Sequence, residues 1–191
     1  MLQFIKIRHQ FGPNVLFDEF SWHIKPNKKI GLVGPNGAGK TTLFQIGTGG
    51  FKPDSGEVVR AKDTRISLFH QIPNFNSELT IIETSLLSNT LYGSYHTRRI
   101  ELESKFSDID HNSLEYDTLI HIQSELEEYA QANDIYTIEN KAKKILSGLG
   151  FKQSDFEKKV KNFSPGYQHR LGLAIALLNP HNLLFLDEPT N

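Results

Sequence analysis

The chain has 191 residues, of which 38% are hydrophobic and 23% charged, with a net charge of −1. These values are ordinary for a globular domain, and the near-zero charge gives no general attraction to nucleic acid or anionic membranes. The absence of cysteine excludes disulfides and thiolate metal sites and suits a cytoplasmic location. The longest apolar stretch, residues 171–178, is too short to cross a bilayer, so we expect no direct membrane insertion.

The N-terminal part of the sequence predicts short strands around one glycine-rich loop. Alternating or continuous apolar residues predict strands at residues 1–7, 20–25, 29–34, 51–60 and 64–71. The first two are joined through a turn at Gly12, Pro13 and Asn14. Residues 40–46, which follow the glycine-rich loop, have the composition of a helix.

The remaining sequence predicts mainly helices, followed by one late strand. The acidic stretch 91–130 predicts either a helical hairpin or a loose insertion, and residues 138–151 predict a helix that stops at its glycines. A further helix begins after Ser164, with Pro165 at its first position, and ends at residues 179–180. The final apolar run, "NLLFLDE", predicts a strand buried on both faces in a parallel sheet. The fold class is therefore α/β with a helical insertion.

The segment "GPNGAGKT", from Gly34 to Thr41, matches the phosphate-loop pattern between a predicted strand and a predicted helix. Glycines let successive backbone N–H groups point inward around the anionic oxygens of a triphosphate, and the helix N-terminus adds positive charge. Lys40 is then expected to reach the β- and γ-phosphates, and the Thr41 hydroxyl to bind Mg²⁺. A structural turn into a helix is the alternative, but a chance match has odds of only about 1% in a chain this long.

An acidic pair, Asp187 and Glu188, follows the last apolar run. At the end of a buried strand, Asp187 is placed to hold Mg²⁺ opposite Thr41. Glu188 points elsewhere and is placed to orient or deprotonate an attacking water. An ordinary Asp-Glu-Pro surface turn is the alternative reading, and the phosphate loop upstream favours the functional one.

Together these motifs resemble the nucleotide-binding domain of the ABC ATPase superfamily, and the resemblance covers nearly the whole chain. Besides "GPNGAGKT" and "LLFLDE", the sequence has Gln71 at the place of the Q-loop glutamine and "FSPGY" at the place of the "LSGGQ" signature. The resemblance implies a P-loop fold of ABC type with an N-terminal antiparallel β subdomain, an inserted helical subdomain, and ATP and Mg²⁺ as cofactors. It also implies one divided domain: residues 1–75 with the phosphate loop, 76–163 helical, and 164–191 with the signature helix and Walker B strand.

The resemblance implies a role for each matching residue. Lys40, Gln71 and Glu188 would be catalytic, while Thr41, Gln71 and Asp187 would hold Mg²⁺, Asp187 through water. Phe11 would stack on adenine, although a lone aromatic is more often part of a core. Ser164 and Gly166 would contact a nucleotide on an opposing cassette. The phosphates would be wrapped by Gly34, Asn36, Gly37, Ala38, Gly39, Lys40, Thr41 and Thr42.

The ending "DEPTN" and the stretch "YTIENKAKKILSGLGF" are most similar to the first cassette of ABC-F proteins, twin-cassette ATPases that act on ribosomes. This resemblance implies ATP hydrolysis in the complete protein, with the ribosome and a second cassette, in cis or in trans, as partners. The ATP-binding subunit of an ABC membrane transporter is an alternative reading. The acidic stretch 91–130 lies where the subfamily has its arm, but its charge is wrong for phosphate contacts with RNA.

The sequence departs from the family pattern at the signature and at its end. Pro165 and Tyr167 replace a glycine and the usual glutamine of the signature, and Pro165 lacks a backbone donor. No histidine follows Glu188, so the family's switch histidine is not represented. We therefore expect an N-terminal fragment that lacks the C-terminal part of the core and that is weak or inactive alone. A further alternative is a truncated protein that binds nucleotide but does not hydrolyse it.

Overall fold

The computed structural model describes residues 1–69, 75–107, 109 and 113–189. The chain divides into two compact units. One, here called the strand unit, comprises Met1–Gln71 and Pro180–Asn191. The other, the helical unit, comprises Ile72–Asn179. Among the helices that the structure describes, none combines the length and apolar character required to span a bilayer.

The strand unit contains two sheets and one helix. The antiparallel sheet has the order β2–β1–β3 and consists of β1 (Leu2–Phe11), β2 (Asn14–Ile24) and β3 (Ser55–Arg60). Helix α1 spans Lys40–Thr48. The parallel sheet consists of β4 (Ile66–Phe69) and β5 (Leu183–Leu186), in the register Ile66 to Leu183 and Phe69 to Leu186. The mixed α/β fold with an antiparallel N-terminal sheet is the one that the sequence predicts.

The core of the strand unit forms between β1, α1 and β5. Alternate β1 residues Leu2 and Phe4 are buried because a strand presents every second side chain to one face, and α1 contributes Leu43 and Ile46. The helix approaches closely at Gly47, where an added Cβ would lie 3.0 Å from the Phe185 ring. This approach fixes the position of α1, and therefore of the loop before it, against the last strand.

The helical unit contains α2 (Ile81–Leu87), α3 (Thr90–Ser107), α4 (Leu114–Ala132), α5 (Ile135–Gly148) and α6 (Pro165–Leu178), with 3₁₀ turns at Gln153–Asp155 and Val160–Asn162. Helix α2 begins with a capping box in which Thr80 and Glu83 satisfy each other's backbone N–H groups. Helices α3 and α4 pack through Leu102, Leu119 and Leu126. The acidic stretch is thus a helical hairpin and not a loose insertion.

The predicted strand at residues 29–34 is wrong, because this segment has no regular structure. Its side chains Ile30 and Val33 are 51% and 95% exposed. A strand of this composition requires a hydrogen-bonded neighbour, and within the described residues every strand pairing joins β1 to β2, β1 to β3 or β4 to β5. Without such a neighbour, the apolar pattern is not sufficient to form a strand.

The expected burial of the last strand on both faces is also wrong. β5 lies parallel to β4, as predicted, but only Phe185 of the four strand residues is buried, and Leu186 is exposed. The sheet has two strands among the described residues. Helix α1 packs on the face that carries Phe185, while Leu186, on the other face, is exposed. The second predicted strand is correct in kind but longer, since β2 begins at Asn14.

Candidate functional site

The glycine-rich loop leads directly into α1, whose first residue is Lys40. Gly37 and Gly39 have φ angles of +81° and +91°, a left-handed conformation that glycine adopts without steric cost. The Ala38 N–H donates to the Pro35 carbonyl at 3.2 Å and closes a tight turn. The sequence therefore places glycine where the loop backbone must curl, as a phosphate-binding loop requires.

The ammonium group of Lys40 folds back over this loop. It donates hydrogen bonds to the carbonyl oxygens of Gly34, at 2.9 Å, and Pro35, at 3.0 Å. Because Lys40 opens the helix, the positive charge lies beside the N-terminal N–H groups of α1, which are themselves electropositive. The loop thus combines backbone donors and a cation within one short segment, a combination suited to an anionic oxygen cluster.

The Thr41 hydroxyl donates a 2.6 Å hydrogen bond to Oδ2 of Asp187, across 146 residues of sequence. Asp187 is only 5% exposed and follows β5, where its N–H donates to the Phe69 carbonyl at 3.2 Å. The β4–β5 pairing therefore fixes the backbone of Asp187, and the start of α1 presents Thr41 to it. The structure brings together these two residues, which sequence reasoning assigns to the same ion.

The oxygen donors of Thr41 and Asp187 fit Mg²⁺, which prefers hard oxygen ligands and keeps several waters. No group of three or more His, Cys, Asp or Glu side chains that could hold a metal occurs within the part of the chain that the structure describes. That finding is compatible with a phosphate-loop site, because substrate phosphates and water supply most of the ligands there. Gln71, the third predicted ligand, lies outside the described residues.

The other predicted residues of the loop and the acidic pair lie in the same unit. Asn36 is exposed on the loop, and Thr42 is half-buried in the first turn of α1. Glu188 is half-buried and has a φ of +48°. L-residues seldom adopt this angle outside turns, and the chain bends at Asp187 and Glu188. The two carboxylates therefore leave the end of β5 from differently oriented backbone units.

Phe11, the predicted adenine contact, ends β1 and is 50% exposed. Its ring lies edge-on to His9, with centroids 4.7 Å apart, and 6.0 Å from the ring of Phe51. The residue is therefore neither a core side chain nor a loose surface one. One part of the ring is packed and the remainder is accessible.

The predicted signature residues lie at the start of α6, in the helical unit. Ser164 is the N-cap residue, with Pro165 at the first helical position, and both Ser164 and Gly166 are exposed. The Ser164 side chain makes no capping hydrogen bond, so its hydroxyl is not used by its own helix. Tyr167, which departs from the family pattern, packs against Phe151 with ring centroids 5.4 Å apart. Tyr167 therefore contributes to the packing of the helical unit.

Sequence reasoning missed the aromatic residues that support the loop and α1. Phe17 of β2 lies so close to Gly39 that an added Cβ would meet its ring at 2.9 Å. Phe44 of α1 stacks on Phe185 of β5, with centroids 4.8 Å apart and planes inclined by 15°. Both contacts join distant segments. These aromatic residues could have been found from their positions beside the two motifs. Phe44 lies three residues after Thr41, and Phe185 lies two residues before Asp187.

A protein-family model described as "ABC transporter" matches residues 17–191 of this chain. The chain is 35% identical over 193 residues to the "Probable ATP-binding protein YheS" of Haemophilus influenzae, covering 100% of this chain and 28% of that protein. It is 33% identical over 189 residues to "ABC transporter F family member 5" of Arabidopsis thaliana, covering 97% and 27%. The chain thus spans between a quarter and a third of the length of these relatives.

Solved structures of similar fold are also ATP-binding cassettes. The dimeric structure of a post-hydrolysis state of the cassette MJ0796 bound to ADP and Pi matches with a TM-score of 0.65 and 20% identity. That match covers 100% of this chain and 75% of the MJ0796 chain. At this identity the likeness establishes the fold, and the arrangement of the loop, Thr41 and Asp187 rests on the geometry given above.

Proposed function

The chain belongs to the ABC family of ATP-binding cassettes and has ABC-F relatives, and we propose that residues 34–42 with Asp187 bind MgATP. The observation that carries this proposal is the 2.6 Å hydrogen bond between Thr41 and Asp187. It joins the two motifs that a phosphate-loop nucleotide site requires, although they are far apart in sequence. A glycine-rich turn without this partner would be only a helix start.

The roles of the loop residues follow from their chemistry. Backbone N–H groups of residues 36–41 would cradle the β- and γ-phosphates, and Lys40 would exchange its carbonyl contacts for phosphate oxygens. Thr41 and Asp187 would hold Mg²⁺, Asp187 through water, with Gln71 as a further ligand. When bound, the ion neutralises the charge that develops on the phosphates. Thr42, Gly34 and Gly37 would shape the rest of the loop.

Replacing Lys40 with alanine tests the binding site. We expect Lys40→Ala to abolish measurable MgATP binding in isothermal titration, because the variant loses the cation that faces the phosphates. Lys29→Ala is the matched control, since Lys29 is an exposed lysine outside the loop and its loss should leave the affinity unchanged. Unchanged affinity in Lys40→Ala would refute the assignment of the site.

Replacing Thr41 with valine tests the metal contact separately. Valine has nearly the same shape but no hydroxyl, so we expect the Mg²⁺ dependence of ATP binding to weaken while metal-free ATP still binds. Thr48→Val is the control in the same helix, because the Thr48 hydroxyl bonds only its own helix at Gln45. An equal loss with and without Mg²⁺ would show that Thr41 acts on the loop and not on the ion.

We propose further that the complete protein hydrolyses ATP. Glu188 would orient or deprotonate the attacking water, and a second cassette, in cis or in trans, would supply the opposing signature. Ser164 and Gly166 of this chain would in turn contact the partner's nucleotide, which their exposure permits. Phosphate release from the chain alone and from the complete protein tests this step. Turnover by this chain alone, in proportion to its concentration, would show that the second cassette is dispensable.

We propose the ribosome as the partner of the complete protein, because the sequence resembles the first cassette of ABC-F proteins and has an F family member among its relatives. The other candidate is a membrane transporter that uses this chain as its ATP-binding subunit. Sedimentation of the tagged protein with ribosomes or with membranes separates them. We expect ATP-dependent recovery with ribosomes from a Glu188→Gln variant, since slow hydrolysis prolongs the ATP-bound state. Recovery with membranes alone would favour the transporter.

A further inference from the structure

We propose that His9 is a positioning residue for the adenine of the bound nucleotide, because it locks the ring of Phe11 into a stacking platform. This inference rests on the proposed function, and specifically on Phe11 as the base contact. A stacking platform must keep one side of its ring accessible while the ring itself is held still. Phe11 is half exposed, and the buried ring of His9 packs against it.

The ring of His9 lies between two phenylalanines. Its centroid is 4.7 Å from that of Phe11 with an interplanar angle of 88°, and 4.9 Å from that of Phe51 with an angle of 77°. Both contacts have the edge-to-face geometry that aromatic pairs prefer. His9 itself is only 3% exposed, so it cannot reach a ligand. It acts on the surface only through the ring of Phe11.

The same cluster is connected to the phosphate loop through α1. Phe51 follows the end of this helix, and its N–H donates to the Gln45 carbonyl at 3.2 Å. Helix α1 begins at Lys40, the lysine of the loop motif. A short rigid helix therefore joins the phosphate loop to the residue that packs against His9 and Phe11. This connection fixes the distance between the phosphate site and the proposed platform.

Asp54 contacts His9 and holds the end of β1. Its Oδ2 accepts a hydrogen bond from the Gln10 N–H at 2.9 Å, and its own N–H donates to the Arg8 carbonyl at 2.9 Å. Its Oδ1 lies 3.5 Å from Nδ1 of His9. The two hydrogen bonds thus hold Arg8 and Gln10, the residues directly before and after His9. The backbone that carries His9 and Phe11 is therefore fixed by side-chain contacts in addition to the strand pairing.

The contact of His9 with Phe11 is a contact between two rings and not a hydrogen bond. Within the described part of the chain, neither ring nitrogen of His9 makes a hydrogen bond, since the contact with Asp54 lacks hydrogen-bond geometry. A buried polar atom without a partner lowers stability, so an apolar aromatic would fill the place at less cost. What His9 provides is a buried ring that packs nearly perpendicular to the ring of Phe11. An ordered ring binds a base without the entropy loss of ordering a mobile one.

Comparison of two ligands in the full chain tests the proposal. Titrations with MgATP and with the magnesium complex of inorganic tripolyphosphate separate the base from the phosphates. We expect Phe11→Ala to weaken MgATP binding by about tenfold and to leave tripolyphosphate binding unchanged, because only the base stacks. His9→Ala should weaken MgATP binding by about threefold to tenfold, again without an effect on tripolyphosphate. His23→Ala, an exposed histidine of β2, should change neither.

The double variant distinguishes positioning from general damage. If His9 acts through Phe11, then His9→Ala combined with Phe11→Ala should bind MgATP no more weakly than Phe11→Ala alone. His9→Phe should restore the affinity of His9→Ala, because phenylalanine keeps the edge-to-face contact. Additive losses in the double variant, or equal losses for both ligands in His9→Ala, would overturn the inference.

The same titrations distinguish a failure of the role of His9 from a failure of the proposed phosphate site. A parent chain that binds tripolyphosphate and MgATP equally, with no effect of Phe11→Ala, would overturn the role of His9 and leave the phosphate site intact. A parent chain that binds neither ligand would overturn the proposed function, and the inference with it. Selective loss of MgATP binding in both single variants, with no further loss in the double variant, is the expected result.

Discussion

The helical unit and the strand unit differ in how their apolar residues are covered. In the helical unit, Leu146 of α5 and Leu171 of α6 are completely buried within one cluster that also includes residues of α2. In the strand unit, the apolar segment before the phosphate loop is exposed, with Val33 at 95%. The two regions are similarly apolar in sequence, but α5 and α6 contribute to a buried cluster while residues 30, 32 and 33 are exposed.

This difference indicates where the chain is stable and where it is adaptable. Burial of apolar surface is the main source of stability, so the helical unit should unfold as a cooperative body. The phosphate loop directly follows the exposed segment 29–33, and local opening costs less where few apolar contacts are buried. The loop is held instead by a few specific contacts, of which Thr41 with Asp187 and Gly39 with Phe17 are the clearest.

The largest expected effect concerns the core of the helical unit. Leu146→Ala should lower the free energy of unfolding by about 2–5 kcal/mol, because a completely buried leucine leaves a cavity. Urea unfolding followed by circular dichroism measures this change. Leu177→Ala, at an exposed position of α6, is the control and should cost less than about 1 kcal/mol. A loss below about 1 kcal/mol for Leu146→Ala would show that this core is loosely packed.

A smaller but more specific effect is expected at Gly39 of the strand unit. Alanine there would have to adopt a φ of +91°, and its Cβ would lie 2.9 Å from the Phe17 ring. Left-handed strain of about 1–2 kcal/mol should distort the loop and weaken MgATP binding by roughly tenfold. Titration calorimetry measures the affinity.

Gly31→Ala is the matched control for this change. An added Cβ at Gly31 meets no atom within 4 Å and its φ is unremarkable, so the affinity should stay the same. If Gly39→Ala binds MgATP as tightly as the parent chain, then the left-handed conformation is not required for the bound loop. The contact between Gly39 and Phe17 would then be less important for holding the loop than we infer here.

Much of the site was predictable because motif spacing encodes local geometry. The loop from Gly34 to Thr41 requires glycine at fixed positions, and Asp187 follows a recognisable strand. The start of α6 was equally clear, because Ser164 and Pro165 together mark a helix N-terminus. In these cases the residues that decide the structure are neighbours in sequence.

The errors arose where neighbours in space decide the structure. The apolar pattern at residues 29–34 predicted a strand, but a strand depends on hydrogen bonds to another segment, and a local pattern does not encode them. The burial of β5 was overestimated for the same reason. Tyr167 packs on Phe151, and His9 packs on Phe11. No sequence motif predicts that these residues lie close together.

A weak effect with a defined pH dependence is expected at Glu78 in the helical unit. Hydrogen bonds from Lys161 and Lys159, together with their charges, hold the pKa of Glu78 below its ordinary value of 4.5. A carboxylate whose pKa is lowered by folding stabilises the protein above its unfolded pKa, and this contribution is lost as the pH falls through the folded pKa. The side chain is exposed, so solvent screens the pair and the effect is small.

Glu78→Gln should therefore be slightly less stable than the parent chain at about pH 6, and the difference should be smaller at about pH 3. Urea unfolding at both pH values measures the difference. Glu128→Gln, at an exposed position of α4, is the control and should show a smaller difference at pH 6. A difference that grows as the pH falls would have the wrong sign for this ion pair.

The smallest effect is expected at Val33, and it tests the comparison between the units most directly. Because Val33 is 95% exposed, Val33→Ser should change the free energy of unfolding by less than about 0.5 kcal/mol. The same substitution at Val160, which is buried in the helical unit, removes apolar contacts and buries a hydroxyl, so it should cost several times more. Urea unfolding of both variants gives the ratio. If Val33→Ser were as damaging as Val160→Ser, residues 29–34 would be covered in solution, as a strand would be. The exposed segment would then not distinguish the strand unit from the helical unit.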